Sequence, residues 1–189
     1  KSNDVVVFNE ATTHNEHLAA AGSRRATPSE YLLWCAGLDG VQTNVADVAF
    51  GNNAVSLCYD DFLTRVAAVQ DMFDSGKTIM KTFVAFDQDY LRAMHVVYGD
   101  GVGQLALRSA IMAGCESLRP GFGDLQYVGA TEADTDHVRC YMIMVDADEG
   151  GTPHDGSQRG VISASQVREF KGAIHASLQR HVDPTLMHV

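Results

Sequence analysis

The sequence lacks a long apolar run, a paired-cysteine motif and an excess of positive charge. No apolar stretch reaches the roughly 18 residues that a transmembrane helix needs, so we expect no membrane span. Residues 1–8 are a charged start leading into a β-prone run, which argues against a signal peptide. Four cysteines stand far apart beside apolar residues: Cys35, Cys58, Cys115 and Cys140. This spacing favours buried free thiols over disulfides or a zinc site, and we expect a cytoplasmic protein.

Positive charge is scarce, because 14 lysines and arginines stand against 24 acidic residues, for a formal net charge of -10. The average surface therefore repels a phosphate backbone, and any nucleic-acid site must be local. With 189 residues and a hydrophobic fraction of 46%, the chain fits one compact domain with its own core. We expect a single domain over 1–189.

Hydrophobic periodicity and turn residues predict the secondary structure along the whole chain. The expected order is a strand over 5–8, a helix from Thr27 to near Gly37, a loop over 38–53, a helix from Asp60 or Asp61 to Asp74, a strand over 78–86, helices over 89–98 and 104–118, strands over 126–132 and 138–146, a loop over 148–160, and a helix over 164–182. The continuous apolar run at 78–86 indicates an interior strand, and the next two strands indicate a hairpin beside it. The expected fold class is α+β, an antiparallel-centred sheet with helices packed on one face.

Two helix starts carry the full capping-box pattern. Thr27 is followed by Pro28 and Glu30, and Ser163 is followed by Gln166 three residues later. A hydroxyl at the cap position accepts a backbone hydrogen bond, and the carboxylate or amide three residues on returns one.

The predicted hairpin contains the most informative motif. An acidic turn over 133–137 stands between its strands, and the layout closely resembles the metal-binding hairpin of relaxases from conjugative and mobilisable plasmids, the VirD-like group of HUH endonucleases. In that family a histidine ends the first strand and a His-x-His pair begins the second, so that three imidazoles converge on a divalent metal. Here the three positions hold Glu132, Arg139 and Tyr141, which makes the metal motif degenerate.

The resemblance extends over roughly residues 27 to 182 and implies a relaxase-like fold. The segment 29–32 resembles the family's nucleophile segment, which implies that Tyr31 attacks the scissile phosphate and becomes linked to DNA. Residues 1–26 do not align and are expected to form an N-terminal strand and arm.

The substitutions change what the hairpin can bind. A guanidinium cannot ligate a metal, and a protonated phenol is a poor ligand, so only Glu132 remains, with Asp134 or His137 as further candidates. We therefore expect no cofactor, and Mg or Mn only if the altered site still binds one. Arg139 can instead hold a phosphate through two hydrogen bonds, with Tyr141 beside it. A structural salt bridge between Glu132 and Arg139 is the favoured alternative to a ligand role for Glu132.

Three functions stay open. The chain is a relaxase-like domain that binds single-stranded DNA and nicks it by tyrosine transesterification, an inactive relaxase-fold binding module for DNA or proteins of a transfer complex, or an unrelated α+β interaction protein. A separate metal site would need His14, His17 and His154 to meet. Solvated loop histidines are the favoured interpretation of those three residues.

Overall fold

The computed structural model describes residues 4–12, 27–37, 44–96, 101–133, 138–148 and 162–183. These segments contain the strands β1 (Val5–Thr12), β2 (Ala49–Gly51), β3 (Ile79–Phe86), β4 (Leu125–Ala133) and β5 (Val138–Asp146). They also contain the helices α1 (Pro28–Cys35), α2 (Tyr59–Asp74), α3 (Gln88–Ala93), α4 (Gly101–Leu118) and α5 (Ala164–Val182). Within the described residues, no helix combines the length and the apolar character that crossing a membrane requires.

The strands form one antiparallel sheet in the order β1-β3-β5-β4-β2. β4 and β5 are neighbours in a hairpin register, with Glu132 opposite Arg139, and β5 also pairs with β3. The predicted hairpin beside an interior strand is therefore confirmed, as is the α+β class with an antiparallel sheet. The strand expected at 5–8 is also present, and it continues to Thr12.

Helices cover both faces of this sheet, so the expected single helical layer is only half of the arrangement. Met142 and Met144 of β5 belong to a core cluster shared with α3, α4 and α5. Ile143 and Val145 point to the opposite face and share a second cluster with α1 and α2. Because β5 is apolar at consecutive positions here, both of its faces must be shielded from water.

The layer of α4 and α5 is closely packed. Phe170, Ile174 and Leu178 form a buried apolar stripe on α5. A Cβ on Gly114 of α4 would lie only 2.9 Å from ring atoms of Phe170. The glycine thus gives the two helices room to approach at this position.

The prediction of a loop over 38–53 is wrong for residues 44–53, the part of that range that the structure describes. Residues 45–47 form a 3₁₀ turn, and β2 pairs with β4. The Asn52 side chain donates to the Leu125 carbonyl at 2.9 Å and accepts from the Tyr127 amide at 2.6 Å. Arg108 is buried and donates to the carbonyls of Asp47 and Val55. Polar residues that are typical of loops, such as Asn52, therefore hold the short strand β2 in place.

Two helix boundaries and one cysteine also differ from expectation. α2 begins at Tyr59, before Asp60, with Cys58 as its N-cap residue. α3 ends at Ala93 and is followed by His95 with a φ of 55°, a left-handed conformation that interrupts a helix. All four cysteines are free as expected, but Cys58 is exposed rather than buried.

Candidate functional site

Several contacts hold helix α1 against the sheet. Its capping box is complete, since the Thr27 side chain accepts from the Glu30 amide and Glu30 accepts from the Thr27 amide. The Ser29 amide also donates to Gln70 of α2 at 3.1 Å. Leu32 is fully buried in the core that the helix shares with β4 and β5. Tyr31 and Trp34 lie three positions apart and therefore share one flank of this short helix.

That flank contacts an aromatic cluster formed by Tyr31, Trp34, Phe83 and Tyr141. Tyr141 is its centre: its ring centroid lies 6.4 Å from that of Tyr31, 5.5 Å from that of Trp34 and 5.3 Å from that of Phe83. The Tyr31 and Trp34 contacts are edge-to-face, with interplanar angles of 82° and 68°. Pairs of this geometry stabilise a fold by about 0.5–1.5 kcal/mol each beyond their burial.

Charged side chains border the aromatic cluster. Lys81 of β3 places its ammonium 5.2 Å from the Tyr31 ring centroid, a cation–π arrangement. Arg139 and Glu132 lie opposite one another on β5 and β4, on the sheet face that also carries Tyr141. Arg139 is half-buried and Glu132 is exposed, so both groups can be reached from solvent.

The Tyr141 hydroxyl interacts with both members of this charged pair. Burial raises the pKa of Tyr141, the interaction with Arg139 opposes that rise, and the carboxylate of Glu132 adds to it. The phenol therefore stays protonated at neutral pH and can donate a hydrogen bond.

Tyr31 is the more shielded of the two tyrosines. Burial raises its pKa well above the ordinary range, and the nearby thiols of Cys35 and Cys140 add to the effect. Its hydroxyl also interacts with Cys35, whose own pKa is raised to about 12, chiefly by burial. Tyr31 is thus a neutral phenol whose conversion to phenolate is costly in this environment.

The described donor groups at the hairpin do not fit a divalent cation. Arg139 offers no lone pair, and Tyr141 stays protonated, which leaves Glu132 as the anionic oxygen donor among the described residues at the turn end of the hairpin. Across all the described segments, no three His, Cys, Asp or Glu side chains come together as a metal site would need. The remnant candidates Asp134 and His137 lie outside the described residues, as do His14, His17 and His154.

The structure brings four residues singled out in the sequence into one place. Tyr31 contacts Tyr141, and Tyr141 interacts with Glu132 and Arg139. They come from a helix and two strands far apart in the chain, so only the fold unites them.

Three site residues were not predicted from the sequence: Trp34, Lys81 and Phe83. Trp34 could have been found, because it stands three positions after Tyr31 on the same helix and therefore on the same flank. Phe83 and Lys81 needed the register of β3 against β5, which pairs Phe83 with Tyr141 and Lys81 with Ile143.

Comparison with family models matches residues 39–183 to a model described as MobL relaxases. The match includes the hairpin and the sheet strands β2 to β5, whereas α1 with Tyr31 precedes it. Comparisons with curated proteins and with solved structures gave no match.

Proposed function

Since the chain belongs to the MobL relaxase family, we propose that it binds single-stranded DNA over the aromatic cluster, with Arg139 holding a backbone phosphate. Membership supports a relaxase-like function in mobilisation and removes the alternative of an unrelated α+β protein. DNA and other components of a transfer complex are the kinds of partner that the family implies.

The observation that carries the proposal is the position of Arg139. Its guanidinium is accessible, stands at a hairpin position where the relaxase resemblance has a metal ligand, and lies beside the Tyr141 hydroxyl. A guanidinium can bind two phosphate oxygens at once. The Tyr141 hydroxyl has one proton and interacts with Glu132, so the phosphate contact is assigned to Arg139. Arg139 offers donors to a phosphate without needing a metal.

The acidic surface limits where the strand can lie. With a net charge of -10, most of the molecule repels DNA, so affinity depends on the few cations at the aromatic cluster. Lys81 is the other described cation beside this cluster, on the strand next to Arg139. The bound strand therefore follows the exposed side of β3 and β5 next to α1.

An Arg139→Ala variant tests the phosphate site. Binding of a fluorescein-labelled oligothymidylate at low salt should weaken by about 1–3 kcal/mol, the loss typical of removing a charged hydrogen-bond partner. Fluorescence anisotropy measures the affinity. Arg168→Ala is the matched control, because Arg168 is exposed on α5, on the opposite face of the sheet, and its loss changes net charge equally. Equal affinities in the two variants would contradict the assignment of Arg139.

Nicking by Tyr31 is a second candidate function, favoured by the contact of Tyr31 with Tyr141. In that reaction the Tyr31 oxygen forms a bond to phosphorus, the bond from phosphorus to the leaving sugar oxygen breaks, and that oxygen takes up a proton. The shielded hydroxyl opposes this activity, since burial raises the pKa of Tyr31. Binding without nicking is therefore the function that the geometry supports best.

A further inference from the structure

We propose that Trp34 is a stacking platform for one nucleobase of the bound strand, next to the phosphate held by Arg139. The inference rests on the proposed function and adds a base contact to its phosphate contact. It concerns a residue for which neither the hairpin motif nor the tyrosine segment gives a role.

Trp34 is exposed in a way that core packing does not explain. Its side chain is 51% exposed, although Leu32, two positions earlier on the same helix, is fully buried. The indole meets the Tyr141 ring at 68°, so the contact uses an edge and leaves much of the ring surface open to solvent. A large apolar ring left open at a polar, charged edge is suited to a flat ligand with polar substituents.

The ring is also fixed before any ligand arrives. The capping box, the hydrogen bond from Ser29 to Gln70 and the burial of Leu32 hold α1, while Tyr31 and Tyr141 support the indole from two sides. A ligand that stacks on a preorganised ring immobilises little of the protein, which lowers the entropic cost of binding.

Charge and family membership together favour single-stranded DNA as the occupant. Arg139 and Lys81 lie beside Tyr141 and Tyr31, the two rings that support Trp34, and each stands opposite a carboxylate residue on the neighbouring strand, Glu132 for Arg139 and Glu10 for Lys81. The chain belongs to a relaxase family, and a strand of DNA presents a phosphate for each base, so a base stacked on Trp34 brings a phosphate to this edge. Stacking on aromatic side chains tolerates any base, because each base has a π-face.

Trp34 is the only tryptophan in the chain, so its fluorescence reports on this position alone. Titration with an oligothymidylate should quench the emission, with a midpoint equal to the affinity measured by anisotropy. An oligonucleotide of the same length with abasic sites should bind more weakly and leave the emission nearly unchanged. Before DNA is added, acrylamide should quench the emission readily, as expected for an exposed indole.

Substitution gives the second measurement. Trp34→Ala should weaken oligothymidylate binding by about 5- to 150-fold, the range that loss of one stacked base implies. Trp34→Phe should retain most of the affinity, because a smaller ring can still stack. Tyr59→Ala is the matched control, since Tyr59 is 52% exposed but lies outside the aromatic cluster. Circular dichroism confirms that each variant is folded before its affinity is compared.

The outcomes separate this inference from the proposed function. Equal affinity for normal and abasic strands, or binding without quenching, would overturn the stacking role and leave the Arg139 phosphate site standing. An indole shielded from acrylamide would overturn it as well, because another group would already cover the ring. If neither oligonucleotide binds, both the stacking role and the proposed function fail.

Discussion

Tyr31 and Tyr141 have the same side chain in different surroundings. Tyr141 has its ring among three aromatic neighbours and its hydroxyl beside Arg139 and Glu132, which leaves that oxygen near solvent. Tyr31 has its hydroxyl near Cys35, under greater burial. Tyr141 therefore supports the site with its ring, whereas Tyr31 is the tyrosine whose hydroxyl could react.

Tyr31→Phe should leave oligonucleotide binding unchanged, because the phenyl ring keeps its contacts with Trp34 and Tyr141. If the protein nicks DNA, the covalent adduct should disappear in this variant, since only the hydroxyl can attack phosphorus.

Because burial raises the pKa of Tyr31, adduct formation in the wild type should increase with pH across the neutral and mildly alkaline range. A denaturing gel with labelled DNA measures the adduct.

Tyr59→Phe is the matched control for this measurement, because it removes a phenol hydroxyl from an exposed tyrosine outside the aromatic cluster. It should leave the adduct in place. An adduct that persists in Tyr31→Phe would show that another residue is the nucleophile.

At the scale of elements, two helices begin with the same capping device but serve different parts of the molecule. α1 starts at Thr27 and presents Tyr31 and Trp34, whereas α5 starts at Ser163 and packs on the opposite face of the sheet. Their caps therefore offer a comparison in which the local chemistry is constant and only the location changes.

Thr27→Ala and Ser163→Ala should each lower the free energy of unfolding by about 1 kcal/mol, the usual cost of losing an N-cap hydroxyl. Urea titrations followed by circular dichroism measure this loss. Only Thr27→Ala should also shift the Trp34 emission and weaken oligonucleotide binding, because only α1 positions the indole. Equal effects of the two variants on binding would indicate that α1 does not position the site.

Sequence patterns predicted best those elements whose signals are local. The bounds of α5 follow from its capping box and its apolar stripe, and β5 follows from a continuous β-prone run. β2 was missed because it has only three residues among glycine and asparagine, and it is held by partners distant in sequence, such as Arg108. The second helical layer was missed because periodicity shows which face of a helix is apolar, but not which side of the sheet it covers.

The residues of the candidate site also divide into those that a local sequence signal predicts and those that only the fold brings together. Glu132, Arg139 and Tyr141 could be proposed from the hairpin motif, and Tyr31 from its helix segment. Their contact, and the participation of Phe83 and Lys81, depends on strand pairing between distant segments, which a single sequence does not reveal.

At the scale of the whole molecule, charge decides how binding responds to salt. A domain with a net charge of -10 can neutralise few phosphates, and the aromatic cluster has two described cations beside it. Affinity then depends more on stacking and hydrogen bonds than on counterion release.

The logarithm of the binding constant should therefore fall with the logarithm of salt concentration at a slope of about -1.4, as expected when two phosphates of a single strand are neutralised. Anisotropy titrations at several salt concentrations give the slope, and Arg139→Ala should bring it about half way to zero. A slope several times steeper would indicate a larger basic surface than the one that the aromatic cluster provides.

The strand order also bears on how the chain folds. Within the described part of the chain, only β4 and β5 pair as consecutive strands, while β1 with β3, β3 with β5 and β2 with β4 join segments separated by long stretches. Closing such long loops costs chain entropy before any contact compensates for it, which slows folding. The hairpin is thus the part that can nucleate locally. The aromatic cluster, which needs α1, β3 and β5 together, forms only as the distant segments join.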